Sequence, residues 1–279
     1  MDIDTGRPGY DAFFLKMVAI VGMAMQHTVL VLGDVIPLGL HFPLQLAGGL
    51  TFPIMAFLLV EGYRYTSNVK RYMGRLFLWG VISQAPYMMA FGIVFIPTPN
   101  IMFTLFISLL AIVMYDRMKR RGLFVFLFVI LCIVSFFFDW GGIGPVVVFI
   151  YHIIKTEKLR RIIPPITAAA YNLIFFSLLG AIIAMAAIMV NVSPIFAEAF
   201  TEALYPKTIE EIGIGAAFAS IMFPIGSFLA VPLVLRYNGE RGRSMKYLFY
   251  GFYPLHLLIL ALLAYVIGIG DLSLFTRVI

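Results

Sequence analysis

The 279-residue sequence holds one cysteine, Cys132, which excludes a disulfide within the chain and any metal site built from thiolates. Charge is scarce too. Asp, Glu, Lys and Arg make up 12% of the residues, against roughly 25% in an average soluble domain. Hydrophobic residues make up 62%, so the main solvent of this chain is bilayer rather than water. The four histidines, His27, His41, His152 and His256, show none of the close spacings of a metal motif. There is no phosphate-cradling glycine loop and no G-x-S-x-G of a serine hydrolase. No soluble domain, fixed-period repeat or low-complexity linker interrupts the chain, so one membrane-embedded domain over 1–279 is expected. The net charge of +6 would suggest nucleic acid in a soluble protein. Here the basic residues sit in short loops, where topology explains them, and no nucleic-acid partner is expected.

What is there is a series of about nine apolar stretches, each judged against the roughly 20 residues a spanning helix needs. They run near Ala12–Gly33, Phe42–Tyr63, Tyr72–Phe95, Asn100–Tyr115, Leu123–Phe138, Gly142–Ile154, Pro165–Asn191, Ile212–Leu235 and Tyr247–Ile269. The expected fold is therefore an all-α, polytopic helical bundle, its first span retained rather than cleaved as a signal peptide. Loop charge gives the orientation. Arg64, Lys70 and Arg71 follow the second span, and similar clusters follow the fourth, sixth and eighth, whereas Lys207 is the sole Lys or Arg in the intervening loops. By the positive-inside rule the N-terminus is cytoplasmic. Phe196, Phe200 and Leu204 recur opposite Glu198 and Glu202, which fits a short interfacial helix or an ordinary loop turn between Ser193 and Tyr205. Pro86 and Pro254 lie inside spans, where each removes a helix hydrogen bond.

The first span carries both Lys16 and His27. Eleven positions on a helix come within about 20° of three full turns and rise about 16 Å, so the two share one face at different depths. Ionisable groups on one face of a membrane helix point to a polar cavity inside the bundle. Toward the cytoplasm, Lys16, Glu61, Arg64, Arg75, Arg243 and Lys246 form a layer suited to a polyanion such as a nucleotide-bearing carrier, coenzyme A among them. Lipid-facing topology charges are the plainer reading of the loop residues. Deeper lie His27, Gln84, Asn100, Asp139 and His256, where a histidine can take a proton from an amine or hydroxyl, or carry an acyl group.

Several spaced runs resemble the TraX family. They include Phe14-Leu15-Lys16 to Gln26-His27, Phe57-Leu58-Leu59-Val60-Glu61-Gly62-Tyr63-Arg64, Arg75-Leu76, and Ser83-Gln84-Ala85-Pro86-Tyr87. Asn100, Asp139 and the ending from Lys246 through Tyr253-Pro254-Leu255-His256 complete the set. The resemblance, which extends to the multi-pass membrane acyltransferase superfamily, implies acetyl transfer from acetyl-CoA, as in acetylation of a pilin N-terminus, with no metal. Lys16 and His27 match that superfamily's pattern of a basic residue, ten intervening residues and a histidine. It implies a catalytic role for His27, with Arg75 near the donor; the residues themselves add Asp139 and His256 as catalytic candidates, Lys16, Glu61, Arg64, Arg243 and Lys246 to the donor layer, and Gln84, Asn100 and Tyr253 as candidates for the acceptor end. Family members often carry Asp before this histidine. Here Gln26 stands there and cannot support the imidazole by charge, which leaves that task to Asp139 or Glu61.

The expected function is thus a multi-pass membrane acetyltransferase of the bacterial inner membrane, with acetyl-CoA, an unidentified amine or hydroxyl acceptor and the lipid bilayer as partners. A transporter or channel using Lys16, His27 and Glu61 as its path is the rival reading. A non-enzymatic assembly factor is a third.

Overall fold

Asp11 opens the first helix. Its carboxylate accepts a hydrogen bond from the Phe14 backbone N–H at 2.7 Å, capping the positive end of α1 (Ala12–Leu32). The computed structural model describes residues 8–91, 98–192 and 209–269. After a 3₁₀ turn at Gly33–Val35, the described helices are α2 (Leu38–Tyr65), α3 (Val69–Phe91), α4 (Ile101–Arg117), α5 (Arg121–Ser135), α6 (Ile143–Ile153), α7 (Glu157–Val192), α8 (Ile209–Leu235) and α9 (Lys246–Val266). Asn100 caps α4 through the Met102 N–H. Nine α-helices among the described residues match the nine apolar stretches, and Pro86 and Pro254 lie inside α3 and α9. The segment Ser193–Tyr205 lies outside the described residues.

Four helical segments, Ala12–Val35, Leu38–Tyr65, Glu157–Ile182 and Tyr247–Val266, are long and apolar enough to cross a membrane. Arg121–Ser135, Ile143–Ile153 and Ile221–Leu235 are shorter apolar helices. α2 is the axis of the bundle: 61% of its apolar window is buried, against 39% in α1 and 28% in α7. Outward faces stay apolar, with Phe126 and Ile133 on α5 and Ile174 and Leu178 on α7 all exposed, as a lipid-facing surface requires.

Close approach of α2 and α8 depends on two glycines. A Cβ on Gly226 would run into the Leu46 carbonyl and stand 2.8 Å from the Gly49 Cα. Hydrogen bonds finish the contact: Asn172 Nδ2 on α7 donates to Ser227 Oγ at 3.1 Å, and Ser227 Oγ donates to the Gly49 carbonyl at 3.0 Å. Small residues and interhelical hydrogen bonds of this kind replace the hydrophobic effect where lipid is the solvent. α1 is joined to α2 in the same way, by Thr51 Oγ1 donating to the Ala19 carbonyl at 3.1 Å.

The basic loops gather at one end of the bundle. There Arg161 at the start of α7 donates to the Leu235 and Tyr237 carbonyls that end α8, at 3.1 and 3.0 Å. The chain before α1 is stitched to the chain after α8 by a parallel bridge, with Tyr10 N–H on the Arg236 carbonyl and Asn238 N–H on the Tyr10 carbonyl.

Gly226→Ala is expected to force α2 and α8 apart and to cost about 1–3 kcal/mol, the usual penalty of overpacking. Thermal melting of the detergent-purified protein reads this. Gly180→Ala, where a Cβ meets nothing within 4 Å, should leave the midpoint unchanged or raise it.

Candidate active site

A cavity of about 930 Å³ lies between α1, α2, α3 and α9 and reaches the turn between α5 and α6. Its volume is at the upper end of the roughly 300–1,000 Å³ of small-molecule sites. α1 lines it from Ala12 to Leu30. At 1.5 Å per residue that is about 27 Å, close to the thickness of a hydrocarbon core. Lys16 and His27 both face into it, as their shared helical face predicts.

At the basic end the lining includes Lys16, Arg75 and Arg241. None of the three makes an ion pair among the described residues, and the buried Arg75 Nε has no hydrogen-bond partner there. Aromatic rings lie beside them instead: Lys16 Nζ is 5.4 Å from the Phe249 ring centre, and the Arg75 guanidinium 5.6 Å from that of Tyr72. The Arg241 loop is held against α1, because Gly242, with φ 63°, leaves just enough room for the Asp11 carboxylate. Glu61 also lines this end, but its charge is already met. Arg160, 1% exposed, donates to Glu61 Oε1 at 2.8 Å and to Glu157 Oε2 at 2.7 Å, and Arg64 stands 3.6 Å from Glu61. The mouth is therefore a set of unpaired cations with its one carboxylate neutralised from behind.

At the other end, His27 Nδ1 and His256 Nε2 are 2.8 Å apart, both residues buried. One further contact settles the protons. His256 Nδ1 lies 2.8 Å from the Phe252 carbonyl, which can only accept, so that nitrogen carries the hydrogen. In the neutral pair His256 Nε2 is then the acceptor, His27 Nδ1 the donor, and His27 Nε2 keeps a free lone pair. That atom makes no hydrogen bond among the described residues, on a side chain that lines the cavity. This is the arrangement of a general base oriented by a second group.

Asp139 enters the same end from the turn between α5 and α6. Its backbone is fixed by the Pro99 carbonyl, 2.9 Å from its N–H, and by the Thr104 hydroxyl on its own carbonyl. The next residue, Trp140, holds φ at 67°, a rare conformation for a bulky side chain, and its ring stacks on Phe52 at 4.1 Å. Enclosure by protein pushes the Asp139 carboxyl up to about 6, against a lowering hydrogen bond from the Trp140 backbone. The carboxyl thus holds its proton more tightly than an ordinary aspartate while lining the cavity. Tyr87, Phe91 and Tyr253 complete the wall, with the His27 ring edge-on to Phe91 at 5.3 Å.

The cavity brings together Lys16, His27, Glu61, Arg75, Asp139 and Tyr253 from the sequence-derived set, with His256 bonded behind His27. Gln84 and Asn100 stand apart from it. They bond to each other at 2.9 Å, and Gln84 Nε2 also donates to the Thr98 carbonyl, so their polar groups close the head of α4. Arg64 is ion-paired to Glu61 and Glu157, Arg243 is exposed on the Arg241 loop, and the Lys246 side chain lies outside the described residues. The helical face of His27 carried no sign of a partner 229 residues away. Arg160, Arg241 and Trp140 were also missed as site residues; the two arginines read as loop charge.

These features define a helical membrane protein with a largely apolar cavity that is cationic at one end and lined at the other by a histidine with a second histidine bonded behind it. The family model described as TraX protein matches residues 12–207 and 189–264, and the chain belongs to that family. It is 30% identical over 265 residues to a probable fimbrial assembly protein, FimC of serogroup H1, from Dichelobacter nodosus, covering 90% of this chain and 94% of that one. No solved structure matches.

Two outcomes follow from this geometry. Arg160→Met leaves Glu61 buried without its main partner and should cost about 3–5 kcal/mol in thermal or denaturant unfolding, while the double change with Glu61→Gln should recover much of that loss. Asp139 titrates higher in the folded chain than its ordinary 3.8, so the folded state holds the proton more tightly. Its stabilising effect is full below about 4 and is lost as pH rises through about 6. Melting midpoints measured across that window should fall with pH in the wild type, and this component should vanish in Asp139→Asn.

Proposed function

We propose that this chain is a multi-pass acetyltransferase of the bacterial cytoplasmic membrane that moves the acetyl group of acetyl-CoA to an amine. The TraX family and the fimbrial relative favour the N-terminus of a pilin-type subunit as the acceptor class. By the positive-inside rule the basic end faces the cytoplasm, which puts the N-terminus there and the histidine pair toward the outside. The whole chain acts as one membrane-embedded domain.

The observation that carries this reading is the division of one cavity into two chemistries. Unpaired Lys16, Arg75 and Arg241 at the cytoplasmic mouth suit the phosphates of coenzyme A, and the orphaned Arg75 Nε is the donor such a group would satisfy. Arg64 and Arg243 add positive potential around that mouth and draw in the anion. The pantetheine arm follows the α1 wall from Lys16 to His27. Asp139 among aromatic rings can take the proton that an incoming ammonium must shed to become the neutral, attacking amine, which favours an amine acceptor over a sugar hydroxyl. His27 Nε2 takes the proton as the amine attacks. His256, through its Nε2 lone pair, steadies the imidazolium that results, and so fills the role that Gln26 leaves open.

The test uses purified protein in sealed vesicles with acetyl-CoA and a synthetic peptide bearing a free N-terminal amine. Mass spectrometry should find the acetylated peptide, with free coenzyme A thiol released in equal amount. His27→Ala should lower kcat by about 10²–10⁴-fold, the span of general acid–base catalysis, in protein that remains folded at the assay temperature. His256→Ala should lower it less. Solute flux through the vesicles with no thiol released would replace this reading with transport.

A further inference from the structure

Tyr253 is 1% exposed and lines the cavity; the Ile101 backbone N–H is turned toward its oxygen, yet its O–H finds no acceptor among the described residues. A buried hydroxyl left unpaired is a standing cost to the fold, and native proteins rarely keep one. Its ring packs tightly all the same. The His27 ring centre is 6.4 Å away and the His256 ring centre 5.7 Å, and Asp139 and Tyr87 stand near enough to act on it electrostatically. Tyr253 and His256 lie three residues apart on α9, so one helical face presents both.

Gln84, Asn100, Thr104 and Ser227 make the contrast. Each is a polar group inside the bundle, and each is bonded to protein. The buried Ser83 Oγ and Gln45 Oε1 also lack partners, but neither residue lines the cavity; Tyr253 is the one of these that faces the cavity where the reaction would occur. Phenylalanine would fill the same space without the cost, so the hydroxyl needs a partner that arrives with the substrate.

We propose that the Tyr253 hydroxyl is the oxyanion donor of the acetyl transfer. This rests on the acetyltransferase reading above. In the step, the lone pair of the neutral acceptor amine forms a C–N bond to the thioester carbonyl carbon, and the carbonyl π pair moves onto oxygen. The resulting O⁻ is held by the Tyr253 O–H, while His27 Nε2 takes one amine proton. Collapse re-forms the carbonyl and breaks the C–S bond, and His27 returns the proton to sulfur. The products are the N-acetyl amide and coenzyme A thiol, with atoms and charge in balance. A donor aimed at charge that exists only in the transition state lowers the barrier without tightening the ground state.

The test is Tyr253→Phe in the full-length purified protein, assayed with acetyl-CoA and the same N-terminal peptide. The expected result is a kcat lower by about 10²–10³-fold, the loss seen when one oxyanion donor is removed, with KM for both substrates unchanged. Because the O–H has no acceptor in the protein, the melting midpoint should stay close to that of the wild type. A structural role would instead lower the midpoint. Three results overturn the proposal: an unchanged kcat, a raised KM at constant kcat, or a loss of kcat accompanied by a lower midpoint. If the wild type itself releases no thiol from acetyl-CoA, the acetyltransferase reading fails first and takes this proposal with it. A wild type that turns over beside an equally active variant sinks the proposal alone.

Discussion

A polar side chain inside an apolar bundle has to find its partner inside that bundle, because lipid supplies none. That constraint shapes this molecule at every level. Arg160 shows it most fully: a guanidinium with 1% of its surface exposed is held by two carboxylates from two helices, over the ring of Phe57 at 5.4 Å. Through it the basic ends of α2 and α7 become one piece, and Arg161 adds the end of α8. The cavity mouth keeps its positive sign because the carboxylate in its wall is neutralised there.

Where the constraint is met, the polar group fixes the scaffold; among the residues that line the cavity, several polar groups leave it unmet. Asn172, Ser227, Thr51, Gln84 and Asn100 are bonded to protein and fix helices in place. Lys16, Arg75, His27 Nε2 and the Tyr253 O–H are left open, and all four residues line one cavity, together with an Arg241 that bonds only the Ser244 hydroxyl of its own loop among the described residues. Burial alone does not make this distinction, since Asn100 and Tyr253 are about equally buried.

The helices were legible in the sequence because an apolar run of sufficient length has few alternatives in a membrane. Their polar ends were harder to read. Hydropathy starts the seventh stretch at Pro165, whereas α7 starts at Glu157. Pro164 and Pro165 look like a boundary but sit inside the helix, where they leave the Arg160 and Arg161 carbonyls without helical donors. Two arginines that read as loop charge are for that reason part of a helix and packed. Lys16 and His27 were placed correctly because local helical geometry alone relates them. The histidine pair was not, because nothing local relates positions on the first and last helices. Asp139 was recognised as a candidate, but its setting depends on the Trp140 backbone and the Thr104 hydroxyl, which no spacing reveals.

The stitch between Tyr10 and Tyr237 joins the opening of the chain to the loop that follows its eighth helix. Synthesis separates these partners: α1 is made more than two hundred residues before Arg236, Asn238 and Glu240, to which the chain at its head is bonded. Arg241 and His256 come later still. A ribosome-bound chain that has reached only Leu235 therefore has eight of the nine described helices but neither the closed mouth nor the histidine pair. Competence is conferred by completion, and a half-made copy in the membrane is chemically silent.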